Sequence, residues 1–449
     1  MSGTLLLVGA LLLVLGCLTP VVASVRLGLS LQAAGVTLIG SAGAIVLWSG
    51  QRVGASFSAG LGPAFGADRL SSIYLLMLGL VSGPVLLFAS GYLAPSARGR
   101  AVAALTGLFV VMLVGLLCAR DIVSFLASWE LMTLVPVAII LLWQANEAAR
   151  RSVFVYAAVT HLAGAGVWVS LVVLAEHGAL TGHALAASSS TGVLVSVAAL
   201  VGFGAKAGVV PLHVWLPRAH PIAPAPVSAL MSGVMLHVAL YGLMRVLLQW
   251  LAAPSAWLGI VVVALGCSSA LVGILGALFQ GELKRLLAFS SIENVGIVLL
   301  GLGAALVLRS QGNAAWASIA LAAALLHMLN HAFFKALLFL AAGSIDHAVH
   351  GLELNRLGGL LRRMPWTGGA FLVAAAGIAG IAPLGGFISE WLILLALLHL
   401  ALGGSVAAGI SGALALAVLA MTAALSVFCF VKVSGLVLLG EPRRPACAH

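Results

Sequence analysis

This chain has little charge. Only 7% of its 449 residues are Asp, Glu, Lys or Arg, against 63% hydrophobic. No polar stretch is long enough to build a soluble domain. The five cysteines (Cys17, Cys118, Cys267, Cys429, Cys447) are scattered without a C-x-x-C pair, which argues against iron–sulfur ligation and against a zinc site. The net charge of +10 does not point to nucleic acid. Most of the basic residues fall in short connections between apolar runs, where they set topology.

What is present is lipid-compatible helix. A mean hydropathy of +1.22, with apolar runs near twenty residues, predicts an all-α polytopic membrane protein. The 53 glycines suit close helix–helix approach in lipid. The runs predict about thirteen helices: 4–24, 32–50, 70–92, 101–119, 122–143, 152–175, 191–212, 224–250, 256–279, 286–308, 315–342, 367–399 and 406–439. The last two are long enough to be tilted or broken. Val14-Leu15-Gly16-Cys17 faintly resembles a lipoprotein cleavage site, but no basic segment precedes it, so the first run reads as an uncleaved span.

Loop charge orients the spans. Thirteen Lys and Arg residues, from Arg26 through Arg150, Arg151, Lys284 and Arg285 to Arg443 and Arg444, fall in odd-numbered loops and the tail. Four (Arg52, Arg69, Arg120, Arg309) fall in even-numbered loops. The positive-inside rule then predicts an N-terminus outside and a C-terminus in the cytoplasm of a bacterial or archaeal inner membrane.

Against this background four charges stand out inside apolar runs: Glu130, Lys206, Lys335 and Glu390. A lone charge at the centre of a membrane helix costs about 2.5–3.5 kcal/mol on insertion scales, and such residues usually face a hydrated interior. Two acids and two bases are the raw material of a proton relay; a fixed ion pair used as structural glue is the alternative. Helix 11 adds His327 and His331, which share one helical face with Lys335 at a spacing of four. Metal ligation there is disfavoured because Lys335 would repel a cation, and haem because no second helix supplies facing histidines; no cofactor and no metal is expected. His161, in mid-helix, reads as packed or water-bonded. Asp346, His347 and His350 read as a cytoplasmic turn.

The stretch GFGAKAGVVPLHVWLPRAHPIAPAPVSALMS at 202–232 carries Lys206 ahead of Pro211, Pro217, Pro221, Pro224 and Pro226. Proline removes a backbone hydrogen bond and clashes with the preceding turn. Two readings stand: a kinked helix followed by a proline-rich loop, or a helix broken at an ion site.

Taken with SWELM at 128–132, LKRLLAFSSIENVG at 283–296, LNHAFFKALLFLAAGS at 329–344 and APLGGFISEWL at 382–392, this stretch resembles the antiporter-like proton-channel subunits. That family spans respiratory complex I, Mrp-type antiporters and membrane-bound [NiFe] hydrogenases. The SSIEN and SEW strings lean toward the hydrogenase-4 component B and formate hydrogenlyase branch. The resemblance covers roughly residues 70–440 and implies two inverted five-helix repeats, with helices 7 and 12 broken. The implied organisation is an N-terminal three-helix segment (1–95), repeats at 96–252 (helices 4–8) and 253–440 (helices 9–13), and a cytoplasmic tail (441–449). It implies that Glu130 pairs with Lys206, that Lys335 is the central helix-11 lysine, and that Glu390 is the terminal residue of the relay. Across the repeats, Glu130 corresponds to Glu293, Lys206 to Glu390, and His237 to Lys432. His237 departs from the pattern, standing where several relatives have lysine; histidine, with an unperturbed pKa of about 6.5, also carries protons. Many relatives continue into a fourteenth helix, beyond the extent of this sequence.

The resulting expectation is a proton-translocating subunit of a redox-driven complex, partnered by other membrane subunits of a hydrogenase- or complex I-like assembly. Two alternatives stand beside it: a subunit of an Mrp-type cation/proton antiporter or ion-driven uptake system, and a non-conducting membrane anchor. Retention of both acids and both lysines argues against the anchor, and the lack of a legible sodium site favours the redox-driven reading over the antiporter.

Overall fold

The computed structural model describes residues 1–60, 62–252 and 255–443. Arg444 and Cys447 lie outside the described residues, with most of the expected tail. Thirteen of the described helices are long and apolar enough to cross a bilayer, which makes this an all-α polytopic membrane protein. The spans are numbered 1–13 in chain order.

Polar caps explain several boundaries. Span 6 (Glu147–Glu176) starts earlier than its apolar run because the Asn146 side chain accepts from the Ala149 amide. Span 4 (Ala97–Cys118) is capped likewise by Ser96, and span 5 (Ile122–Trp143) by Asp121. Span 11 (Ala314–Val349) runs past the expected turn. Asp346 and His347 are helical, and only His350, at φ 51°, reverses the chain. The apolar run expected at 367–399 is two helices, Pro365–Ile378 and span 12 (Gly385–Leu402).

The described chain forms two compact units. One comprises residues 1–185, 190–206 and 222–251; the other comprises 186–189, 207–221 and the chain from 252 onward. In the first unit, span 8 (Ala225–Trp250) is buried along its whole apolar length. Two π-helical turns, Met231–Met235 and Val246–Trp250, bracket its α-helical centre Leu236–Arg245, which carries His237. Such wide turns often mark functional positions in helices. Spans 1 (Ser2–Val22) and 2 (Val25–Ser49) approach through glycine: a Cβ on Gly9 would stand 2.7 Å from the Gly35 carbonyl oxygen.

In the second unit, span 10 (Leu283–Ser310) is the fully buried element. Span 9 (Ala256–Leu278) lies against it through Gly259, Gly266 and Gly273, spaced by seven, opposite Gly296 and Gly303. A Cβ on Gly266 would meet the Gly296 carbonyl oxygen at 2.9 Å, so only glycine permits this contact. The same row ends at Gly273, whose missing side chain admits the backbone of Glu293.

One ionic clamp organises the loop ends of the first unit. The segment before span 3 (Arg69–Tyr92) forms a short antiparallel ladder, Val53 opposite Ala67 and Gly54 opposite Gly66, that delivers Asp68 to the start of span 3. Asp68 caps that helix through the Ser71 amide and receives both outer nitrogens of Arg245, at 2.5 and 2.7 Å. Arg120, 2% exposed, adds a second positive charge at 3.7 Å. Burial alone would raise the Asp68 carboxyl; the hydrogen bonds and charges of Arg245 and Arg120 outweigh it and hold the group well below the usual carboxylate range.

Because Asp68 has a lower pKa folded than unfolded, its contribution is complete at neutral pH and fades as pH falls below about 4. Asp68→Ala, which leaves the buried Arg245 without its carboxylate and with only Tyr241 and Gln249 as neutral acceptors, should cost about 3 kcal/mol at pH 7. The gap between variant and parent melting temperatures in detergent should narrow in acid. An unchanged midpoint at pH 7 would remove the clamp from this account.

Candidate functional site

Lys206 lies in the last turn of the first helical part of span 7, Ser190–Ala207. Gly208, at φ 81°, ends that helix, as left-handed glycine commonly does. The chain re-enters helix only at Leu212–Trp215 and Leu216–Ile222. The Lys206 side chain is fully buried. Its Nζ donates to the Trp129 carbonyl oxygen at 3.0 Å and to the Thr133 hydroxyl, and stands 4.2 Å from the centre of the Trp129 ring. Trp129 and Thr133 are one turn apart on span 5, so one helical face supplies carbonyl, hydroxyl and ring. Phe203, one turn before Lys206, packs edge-to-face with Trp129, the ring centres 5.0 Å apart.

Glu130 is not part of this seat. Glu130 and Lys206 interact electrostatically but make no contact ion pair among the described residues, so the expected pairing is not a closed one. The reason is helical geometry: residue 130 is turned about 100° from residue 129, off the face that Lys206 occupies. The carboxylate points to span 6, where Oε1 accepts from Trp168 Nε1 at 2.9 Å and Oε2 lies 3.2 Å from His161 Nε2. Glu130 is half-buried, its side chain 25% exposed, whereas a buried acid was expected. His161 is correspondingly no mere packing residue. His237 is buried on span 8.

In the second unit the corresponding arrangement surrounds Lys335. This lysine, fully buried on span 11, donates to the Leu287 carbonyl oxygen at 2.8 Å and to the Ser290 hydroxyl. The acceptors again sit one turn apart on a single helix, here span 10. Glu293 follows one turn later, fully buried and within electrostatic reach of both Lys335 and Glu390.

A string of hydrogen bonds leads away from this seat. Asn294 donates to the Ser290 carbonyl oxygen at 2.8 Å, and its own Oδ1 lies 3.2 Å from His327 Nε2. His327 Nδ1 is 3.0 Å from the Ser389 hydroxyl, which accepts from Asn330 at 3.2 Å. Asn330 also donates to the Gly385 carbonyl oxygen at 2.7 Å, at the start of span 12. Both His327 nitrogens are thus engaged by neutral partners, which hold the ring in place and make it a poor metal ligand. His331 is buried on the same helix, and Lys432 of span 13 (Val406–Leu438) donates to the Leu278 carbonyl oxygen at 2.9 Å.

Glu390 follows the non-helical segment 379–384 and is half-buried, again less enclosed than expected. It borders a cavity of about 290 Å³ walled by apolar side chains including Phe387, Trp391, Leu419 and Val427. Gly380, at φ 66°, stands beside it; a Cβ there would lie 3.0 Å from Oε2.

Residues 119–415 match the family described as NADH:quinone oxidoreductase/Mrp antiporter, TM. The chain belongs to that family. It is 44% identical over 339 residues to an uncharacterised protein of Mycobacterium tuberculosis, covering 75% of this chain and 53% of the relative. It is 38% identical over 385 residues to hydrogenase-4 component B of Escherichia coli, covering 84% and 57%. The chain thus spans a little over half the length of these curated relatives. Its fold matches a chain of the Mrp complex from Dietzia sp. DQ12-45-1b with a TM-score of 0.81 at 25% identity, covering 98% of this chain and 81% of that one.

Thr133, Ser290, Asn294 and Ser389 were not singled out from sequence. The signal available was helical spacing: each lysine's hydroxyl lies three or four residues from the carbonyl it shares. Removing either hydroxyl takes an acceptor from a buried amine, which should cost about 1–3 kcal/mol. Thr133→Val and Ser290→Ala should therefore each lower the detergent melting temperature, more than Ser318→Ala on the exposed face of span 11. Equal effects for all three would mean that the seats are not what holds the lysines.

Proposed function

We propose that this chain moves protons across the membrane as a subunit of a larger complex, using Lys206 and Lys335 as its two proton-loading groups. The observation that carries this reading is the matched seat of the lysines. Each amine is sealed from solvent, yet is met by a helix carbonyl and a hydroxyl and not by a carboxylate at contact distance. Desolvation favours the neutral form of a lysine, and nearby acids favour the charged form. A seat of neutral acceptors accommodates both states, whereas a closed ion pair would fix one. Movement of the acids relative to the lysines then decides whether each holds or releases its proton. At an effective dielectric of about 20, bringing a carboxylate to about 4 Å is worth roughly 4 kcal/mol.

In this reading protons pass in order through Lys206, His237, Lys335 and Glu390, with Glu130 and Glu293 as the charges that bias each lysine. His327, oriented by Asn294 and Ser389, is a further titratable group on the span of Lys335, while His331 and Lys432 flank the route. Two features support an inverted pair of five-helix repeats, spans 4–8 and 9–13. Spans 5 and 10 supply the equivalent seats, and the helix is interrupted after Lys206 at 208–211 and before Glu390 at 379–384. Loop charge supports an N-terminus outside and a C-terminus in the cytoplasm.

The parent assembly is best read as a hydrogenase-4-type redox complex, given the 38% identity to its component B. The fold match to the Mrp complex keeps a cation/proton antiporter as the second reading. Copurification of redox subunits, or of antiporter subunits, separates the two.

In membrane vesicles containing the assembled complex, Lys206→Ala and Lys335→Ala should each reduce coupled proton movement at least tenfold while assembly persists. Parental rates in both variants would refute the reading.

A further inference from the structure

His161 stands outside the relay described above, although it touches one of its acids. Its Nδ1 lies 2.9 Å from the Ala157 carbonyl oxygen, which can only accept, so Nδ1 carries a hydrogen. Its Nε2 faces Glu130 Oε2 at 3.2 Å. The other carboxylate oxygen is engaged by the Trp168 N–H, a donor only, at 2.9 Å. With those two ends fixed, the Nε2–Oε2 contact closes with one proton. Two protons would set donor against donor, and none would set lone pair against lone pair.

We propose that Glu130 and His161 form a dyad that shares one proton, and that His161 is thereby the group that sets the charge of Glu130. In one state the proton is on Oε2: the acid and the imidazole are both neutral, and Glu130 exerts no pull on Lys206. In the other the O–H bond has broken and the Nε2–H bond has formed, giving a carboxylate beside an imidazolium. Glu130 then attracts the Lys206 ammonium, to which it is electrostatically coupled within the same unit. Lys206 is the other charged group in this arrangement, and its load favours the carboxylate form. The dyad lies at the flank of the unit, with the His161 side chain 35% exposed at the middle of span 6. Gly164, between His161 and Trp168 on span 6, leaves the space beside Trp129 and Glu130 open, its hypothetical Cβ 3.9 Å from Glu130 Oε1.

The functional consequence rests on the proton-moving role proposed above, but the dyad itself does not, and the experiment separates them. The full chain carrying ring-15N histidine is compared in lipid nanodiscs with its Glu130→Gln form, His161→Gln identifying the signal among the twelve histidines. At a pH where Lys206 is loaded, which favours the carboxylate–imidazolium state, the dyad predicts that Glu130→Gln shifts the His161 Nε2 signal strongly toward that of a neutral ring protonated at Nδ1, with Nδ1 nearly unmoved. An unchanged Nε2 signal would overturn the proposal. In the assembled complex, His161→Gln, which retains a donor toward Glu130 without a transferable proton, should slow proton movement about tenfold with assembly intact. Full rates for His161→Gln, where Lys206→Ala is inactive, would refute the role of the dyad and leave the relay standing. Full rates for both, with the spectroscopic shift present, would refute the relay and leave the dyad.

Discussion

A buried amine in a membrane protein must be solvated by the protein itself, and that requirement shapes both units. Lys206 and Lys335 are each met by a backbone carbonyl and a hydroxyl presented one turn apart on a neighbouring helix. A helical carbonyl already accepts one hydrogen bond within its helix and has a second lone pair for the amine. That supplies solvation without a counter-charge, so the lysine is not pinned as an ion pair. The tight packing follows: spans 8 and 10 are buried along their apolar length, and glycines at 259, 266 and 273 bring span 9 against the helix that carries the Lys335 seat.

Charge is distributed accordingly. Near the loop ends of the first unit, Arg245 and Arg120 close a clamp on Asp68. It fixes geometry. Among the described residues Glu130 and Glu293 make no contact ion pair with the lysines they reach electrostatically: Glu130 is turned away on span 5, and Glu293 lies one turn beyond the Lys335 seat. In the proposed reading that separation leaves the bias on each lysine open to change.

The sequence was most legible where a single residue type is expensive in its place. Membrane charges are rare, so Glu130, Lys206, Lys335 and Glu390 announce themselves, and apolar runs of spanning length give the helix count directly. It was least legible where function depends on which face of a helix a residue occupies relative to a distant element. That Glu130 turns to His161 and Trp168 on span 6 follows from packing between spans 5 and 6, which no local spacing reveals. Thr133 and Ser290 were hidden for a related reason: a hydroxyl in an apolar helix ordinarily bonds its own backbone, and only the approach of a lysine from another span gives it a second task. The helical extension to Val349 was missed because polarity suggests a helix end while hydrogen bonding continues through Asp346 and His347.

The chain has four lysines, Lys206, Lys284, Lys335 and Lys432, which makes the central claim directly observable. The protein is labelled with 15N at the lysine amines within its assembled complex, and the four signals are compared at rest and under an imposed proton gradient. The account predicts that the signals of Lys206 and Lys335, assigned by substitution, move between ammonium and amine positions when the gradient is applied, while that of Lys432 stays as it was. If Lys206 and Lys335 both remain ammonium throughout, the lysines are structural cations and the proton-loading account is wrong.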